Sequence, residues 1–504
     1  MTGRETRGVT RAYEPSPAGA VVHVRSHPKR GPIPHDSNPD TMTIPFRRPA
    51  PAPLMVAAFA SALGLASPGS RAEAQAPAAA ASRTAIDSYT LPNGLRVHLV
   101  EDHSSQVVAV NIWYHVGARN EVPGRTGFAH LFEHMMFQGS GNAPKGDHMR
   151  LIGNAGGDLN GSTRADMTNY YEVLPSNRLN LALWLEADRM RSLAITAENL
   201  KNQQEAVKEE RRLRFDNQPY TGALIDRLPL IHGAERCFGY AHSLIGTMDD
   251  LNAAKVEDVK AFFDLYYAPS NATLVVVGDF KPAETKTLIA SYFGGIPRGK
   301  EVPAVQCEPP LNPTARREVV PDRNATLPAA LIAYRIPPVA ERDYPALELL
   351  TTILGGGESS RLHKALTRDA KLTLAAQALI NPFGPTKGPG MLAFLGIANQ
   401  GVSIDSVEAG VLAQVRRIAA SGVDAAEVAK AKNAYRFGKI AERQQALGFA
   451  EAVQFADRFL GSANAVDTDL DRFEAVTAAD IQRVASTYLV PERSLTLVIT
   501  PEKK

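Results

Sequence analysis

"LNAAKVEDVKAFFDLYYAPSNATLVVV", residues Leu251 to Val277, is written a second time as "FEAVTAADIQRVASTYLVPERSLTLVI", residues Phe473 to Ile499. The two stretches align without a gap. Asp258 falls on Asp480, Tyr266 on Tyr488 and Pro269 on Pro491, all at one offset (488 − 266 = 222). Each copy reads as a helix, a Tyr-x-x-Pro turn and a strand rich in Thr, Leu and Val. One unit used twice, with seven prolines between Gly294 and Pro328 separating the copies, describes two related α+β domains joined by a linker.

Working outward, residues 87–293 form the expected first domain, 294–328 the Pro-rich linker and 329–504 the second domain. Residues 1–86 differ in kind. The first 41 are rich in Pro, Arg, His and Gly and lack apolar periodicity, so they are expected to be disordered. Then come Arg47 and Arg48, an apolar run from Leu54 to Ala66, and Ala72-Glu73-Ala74 as a small-x-small cleavage site. That layout, about 42–74, is a secretory signal whose apolar part is too short to span a bilayer. The expectation is export across the inner membrane to the periplasm, Met42 as an alternative start, and a mature chain beginning near Gln75. The 504 residues carry Lys+Arg 55 against Asp+Glu 53, a balance that points away from a nucleic-acid surface. Cys237 and Cys307 are too few for a disulfide framework or a cysteine zinc cluster; whether they pair is open.

The chemistry concentrates in "GFAHLFEHMMFQGS", Gly127 to Ser140. On a helix His130 and His134 project from one face, one turn apart, with Glu133 beside them. Two imidazoles at i, i+4 supply two zinc ligands with little ordering cost, and a carboxylate next to them can take a proton from the attacking water. The competing reading is a pair of histidines satisfied inside a packed helix. The second domain bears on the choice. Its counterpart, Ala346 to Leu354, has Leu347, Leu350 and Thr351 where the first copy has His130, Glu133 and His134. Packing manages there without the polar groups, so they are better explained by chemistry. A third ligand is expected from "QQEAVKEERRLR": Glu210 shares a helix face with Leu200 and Val207, whereas Glu205 and Glu209 fall on the solvated side. His103, His115, His148, His232, His242 and His363 stand singly and read as surface or ordinary polar residues.

"GARNEVPGRTGFAHLFEHMMFQGS", "GGDLNGSTRADMTNYYEVLP", "LEADRM", "EAVKEERRLRFDNQPY" and "HSLIGTMDDL" together resemble the pitrilysin or insulinase family of zinc metallopeptidases, which includes the mitochondrial processing peptidases. The resemblance spans nearly all of residues 87–500. It implies an α+β fold of two homologous domains, each a mostly antiparallel sheet packed with helices, enclosing peptide substrates. It implies one Zn2+ per chain on His130, His134 and Glu210, with Glu133 as general base. Substrate would add as a strand to the edge Asp158–Thr163, where Asn160 is the family's polar contact.

Two positions depart from the family pattern. Gln203 stands where a glutamate usually supports the third ligand; an amide can orient a ligand but adds no charge. Arg368 can stand for the family's substrate-binding arginine, but the tyrosine position falls on Leu374 or Ala375. Some short members divide labour between subunits. The expected function is an exported zinc endopeptidase for unfolded peptides, the zinc-bearing subunit of a homo- or heterodimer whose partner carries the Arg/Tyr pair. The alternative is a non-catalytic subunit of a larger complex.

Overall fold

The computed structural model describes residues 84–308 and 314–502; the expected signal and its cleavage site lie outside the described residues. Six strands of the first half are β1 (Asp87–Thr90), β2 (Arg96–Glu101), β3 (Val107–Tyr114), β4 (Asp158–Thr163), β5 (Thr168–Pro175) and β6 (Ala272–Gly278), in the order β1-β2-β6-β3-β5-β4. Five more follow: β7 (Arg316–Asp322), β8 (Ala329–Ile336), β9 (Thr373–Ile380), β10 (Gly390–Ala398) and β11 (Leu495–Pro501), in the order β7-β11-β8-β10-β9. With β1 set aside, the two sheets have one topology. Each contains a single parallel pair, β2 with β6 and β7 with β11, and is otherwise antiparallel. The fold is α+β with two sheet-and-helix domains of the same design.

The repeated sequence supplies the last helix and last strand of each design. Asp258 accepts the Lys255 N–H and Asp480 the Thr477 N–H, so the shared aspartate caps the same helix start twice. Pro269 and Pro491 each open a short 3-10 turn that ends the helix and feeds β6 or β11. The Pro-rich stretch is not a bare connector. Its residues Arg316–Asp322 form the edge strand β7, where Pro321 is tolerated because an edge leaves one side of the ladder unpaired.

Helices Phe128–Met135, Leu179–Ser192, Val256–Tyr266 and Pro282–Phe293 bury their apolar sides on one face of the first sheet. β3 nonetheless is buried along both faces rather than alternating. The second face is covered by Ala446–Leu460 from the other half, with Ala450, Val453 and Ala456 against Val100, Val275 and Val277. Gln454 of that helix donates to the carbonyls of Asn111 and Thr273 at 3.1 and 2.9 Å. The exchange is reciprocal: Ala223, Leu228 and Ile231 of the first half cover Leu331, Ala393 and Leu497 of the second sheet. The repeat offset carries Ala446 onto Leu224, so the two covering segments are counterparts. Fully burying Val453 or Leu228 is worth roughly 1.5–3 kcal/mol relative to exposure, which ties the halves together.

Cys237 and Cys307 form a disulfide, linking the loop after Gly233 to the Pro-rich stretch. No helix among the described residues is long and apolar enough to cross a membrane.

Candidate metal centre

The Phe128–Met135 helix buries Phe128, Leu131, Phe132 and Met135 in the first core. That leaves His130, Glu133 and His134 on the half-buried side, facing β4 and the Ala197–Arg211 helix. The helix start is held by Glu121, whose carboxylate accepts the N–H groups of Gly127 and Ala129, both at 2.8 Å. Gly127 has φ +81° and lies so close to the chain at Ile245 that a Cβ would come within 2.5 Å of its carbonyl oxygen. Glycine there lets the loop carrying Ser243, Leu244 and Ile245 close over the site.

Glu210, on the half-buried side of the Ala197–Arg211 helix, completes the group. Its Oε2 lies 3.1 Å from His134 Nε2 and 3.5 Å from His130 Nε2. One ligand atom from each of the three residues falls within 4.8 Å of the other two. Arg214 Nη1 holds the other oxygen of Glu210 at 2.9 Å. Glu205 and Glu209 are exposed and pair with Lys208 and Arg212. Gln203 Oε1 sits 3.3 Å from His134 Nδ1, placed to accept its proton, while Nε2 is the ring nitrogen turned to Glu210. Glu133 Oε2 accepts the Thr163 hydroxyl at 2.8 Å.

Electrostatics separate the roles. Burial, reinforced by His134, pushes His130 down to about 4, so this imidazole stays neutral and keeps a lone pair for a cation. For His134, burial opposes protonation, but the hydrogen bond and charge of Glu210, with Glu133 and Gln203, together outweigh it and hold the ring above its ordinary value. The same bond draws Glu210 below the usual carboxylate range. Burial raises Glu133, with the Thr163 hydroxyl opposing the shift. Two imidazole nitrogens and one carboxylate oxygen converging on one point fit zinc in donor type and number. His130 Nδ1 is buried without a hydrogen-bond partner.

A cavity of about 600 Å3 opens over these groups and is lined by Asn160 to Arg164 of β4 and its turn. β4 is the sheet edge, so its outer backbone groups are open to an added strand. Asn160 is exposed on that edge. Pro382 and Phe383, between β9 and β10 of the second half, close the cavity from the far side. The structure thus brings together His130, Glu133, His134, Asn160, Gln203 and Glu210. Arg368 stands elsewhere, bonded to Asp369 in a groove shared with Arg361, Lys364 and Arg417. Leu374 is exposed on β9, and among the described residues no tyrosine lines the 600 Å3 cavity.

Thr163, Arg164, Arg214 and Phe383 were missed from sequence. Strand alternation could have found Thr163. Gly161 and Thr163 share the face turned to the helix, and a Cβ on Gly161 would sit 3.2 Å from Glu133 Cγ. Of the single histidines, His148 and His232 are deeply buried rather than at the surface. His148 Nε2 bonds Glu172 at 3.0 Å, and Glu186 lies close by. Arg189 already contacts both carboxylates, so positive charge is built into that cluster.

Residues 96–229 match the model of the insulinase (peptidase family M16) domain, and residues 253–435 match the peptidase M16 inactive domain. A zinc protease PqqE of Helicobacter pylori is 30% identical over 419 residues, 82% of this chain and 93% of that protein. A crystal structure of a protease from Helicobacter pylori superposes with a TM-score of 0.78 at 27% identity, covering 83% of this chain and 100% of the other. The periplasmic protease PqqL from Escherichia coli shares the fold, with a TM-score of 0.67 at 17% identity over 83% of this chain and 48% of PqqL. The chain belongs to the insulinase, or M16, family of peptidases.

Proposed function

We propose that this chain is an exported zinc endopeptidase for unfolded peptides, and that it is the zinc-bearing subunit of a dimer whose partner completes substrate binding. The observation that carries the reading is the convergence of His130, His134 and Glu210 beside Glu133, at the foot of an edge strand. His130 and His134 would hold zinc through Nε2 and Glu210 through Oε2. Bound there, zinc supplies a Lewis acid that polarises the scissile carbonyl and acidifies the attacking water.

The remaining work falls to the chain. β4 pairs with the extended peptide and lays its backbone across the helix face that carries Glu133. Glu133 takes the proton of the attacking water and passes it to the nitrogen of the departing peptide. Thr163 aims the carboxylate, and Gln203 fixes the tautomer of His134. Ser243–Ile245 and Phe383 exclude bulk water, which strengthens these interactions.

Export is supported by the Cys237–Cys307 bridge, since disulfides persist outside the reducing cytosol. The similar protein PqqL is a periplasmic protease, which points the same way. Divided labour is supported by the position of Arg368 away from the cavity and by a lining without tyrosine. The test is cleavage of internally quenched peptides by the zinc-loaded chain, alone and with candidate partner chains, in wild type and Glu133→Gln. Chelator-sensitive cleavage that Glu133→Gln reduces by about 10²- to 10⁴-fold is expected. Undiminished cleavage by Glu133→Gln would remove the general base, and full activity of the chain alone would remove the partner.

A further inference from the structure

The cavity has two kinds of wall. Leu224, Ile225, Leu244, Ile245, Phe215 and Phe383 are its apolar lining. Its polar lining includes two cations, Arg164 and Arg214. Arg214 is committed, because its Nη1 bonds Glu210 Oε1. Arg164 is not. It is exposed, its stem lies against Gly384 of the second half, and its guanidinium makes no hydrogen bond or ion pair among the described residues. The nearest acid in sequence, Asp166, is buried and already bonds Arg119 at 2.8 Å, the Tyr240 hydroxyl and the Lys387 N–H. Glu133 is engaged by Thr163. The charge of Arg164 is felt by Glu133, but no carboxylate among the described residues forms an ion pair with its guanidinium, which lines the cavity.

We infer that Arg164 is a specificity-determining residue that draws a carboxylate of the bound peptide; the inference rests on the peptidase reading above. Position sets its range. Glu133 marks the bond to be broken, Thr163 touches Glu133, and Arg164 is the next residue along. A peptide paired with β4 advances about 3.3 Å per residue. An extended arginine reaches roughly two such steps, so its partner lies within about three residues of the scissile bond. The planar fork of guanidinium matches a carboxylate with two parallel N–H donors, a match a lone ammonium cannot make. The carboxylate can come from an Asp or Glu side chain or from a free peptide C-terminus.

The experiment uses the full chain, with the partner chain where one is required for cleavage. Three sets of quenched peptides are compared: neutral peptides, peptides with one Glu at each of the three positions on either side of the bond, and short peptides with free or amidated C-termini. Wild type is expected to favour an acidic set by about 5- to 10-fold in kcat/KM. A preference that follows the Glu position identifies a side chain, and one that follows the free terminus identifies the terminal carboxylate. In Arg164→Gln the ratio of acidic to neutral peptide should fall to about one, and in Arg164→Glu it should reverse in favour of Lys-containing peptides. The affinities of the same peptides for Glu133→Gln, read by fluorescence anisotropy, should show the same ratio without turnover. Acid-preferring binding without cleavage in wild type would reject the peptidase reading and retain the role of Arg164. Equal rates and affinities for acidic and neutral peptides in wild type, or an unchanged preference in Arg164→Gln, would overturn the inference.

Discussion

The hydroxyl of Thr163, the last residue of the edge strand β4, donates to Oε2 of Glu133 at 2.8 Å. One side chain thus couples the strand proposed to receive peptide with the carboxylate proposed to move the proton. The hydroxyl also opposes the upward push that burial exerts on Glu133. Thr163→Val keeps the shape and removes the donor. Its expected effect is a fall in kcat/KM of about 10-fold at neutral pH, the weight of one hydrogen bond to a charged group. The acid limb of the pH profile should move to higher pH, because Glu133 then holds its proton more tightly. A pH–rate profile of wild type and variant checks both.

Gln203 offers its carbonyl to His134 Nδ1. Gln203→Ala removes the group that fixes the tautomer and should weaken zinc binding by about 10- to 100-fold. Gln203→Glu adds a negative charge beside His134 and should bind zinc more tightly than wild type. Competition titration against a chromogenic zinc chelator measures all three proteins.

The buried cluster of His148, Glu172, Glu186 and Arg189 gives a pH signature of stability. Burial, partly offset by Arg189, pushes Glu186 up to about 8. Between the ordinary carboxylate value and about 8, the folded state keeps a proton that the unfolded state has released. This group therefore favours folding fully at low pH, and its contribution declines as pH rises toward 8. In Glu186→Gln that decline should be absent, so Tm against pH should be flatter between pH 5 and 8 than in wild type. Differential scanning calorimetry across that window tests it.

The Cys237–Cys307 bridge closes a loop of 70 residues. Chain entropy assigns such a cross-link about 4 kcal/mol in the unfolded state. Cys237→Ser with Cys307→Ser should lower the midpoint of urea unfolding, and reductant should lower it in wild type but not in the double variant.

What could be read from sequence was local, or repeated. His130, Glu133 and His134 share one helix turn, and Glu210 shares a helix face with Val207, so spacing alone was informative. The duplicated helix–turn–strand foretold two related α+β domains, and their sheets share one topology once β1 is set aside. Thr163 was marked only by its alternation with Gly161, whereas Arg164 and Phe383 meet residues far along the chain and nothing in their own neighbourhoods marked them. His148 was expected at the surface or in an ordinary polar setting, because Glu172, which holds it inside, sits on a different element. The burial of β3 on both faces depends on a helix from the second half that covers its other face, a partner far along the chain. β7 was hidden among prolines, since its pairing with β11 is settled only by the far end of the chain.

Every catalytic role proposed above depends on His130, His134 and Glu210 holding zinc. The metal content of the purified full chain, read by inductively coupled plasma mass spectrometry in wild type and Glu210→Gln, tests this at its root. About one zinc per wild-type chain is expected, as for a three-ligand catalytic site, with a large loss in the variant. Wild-type protein that takes up no zinc after dialysis against it, or Glu210→Gln that retains a full complement, would contradict it.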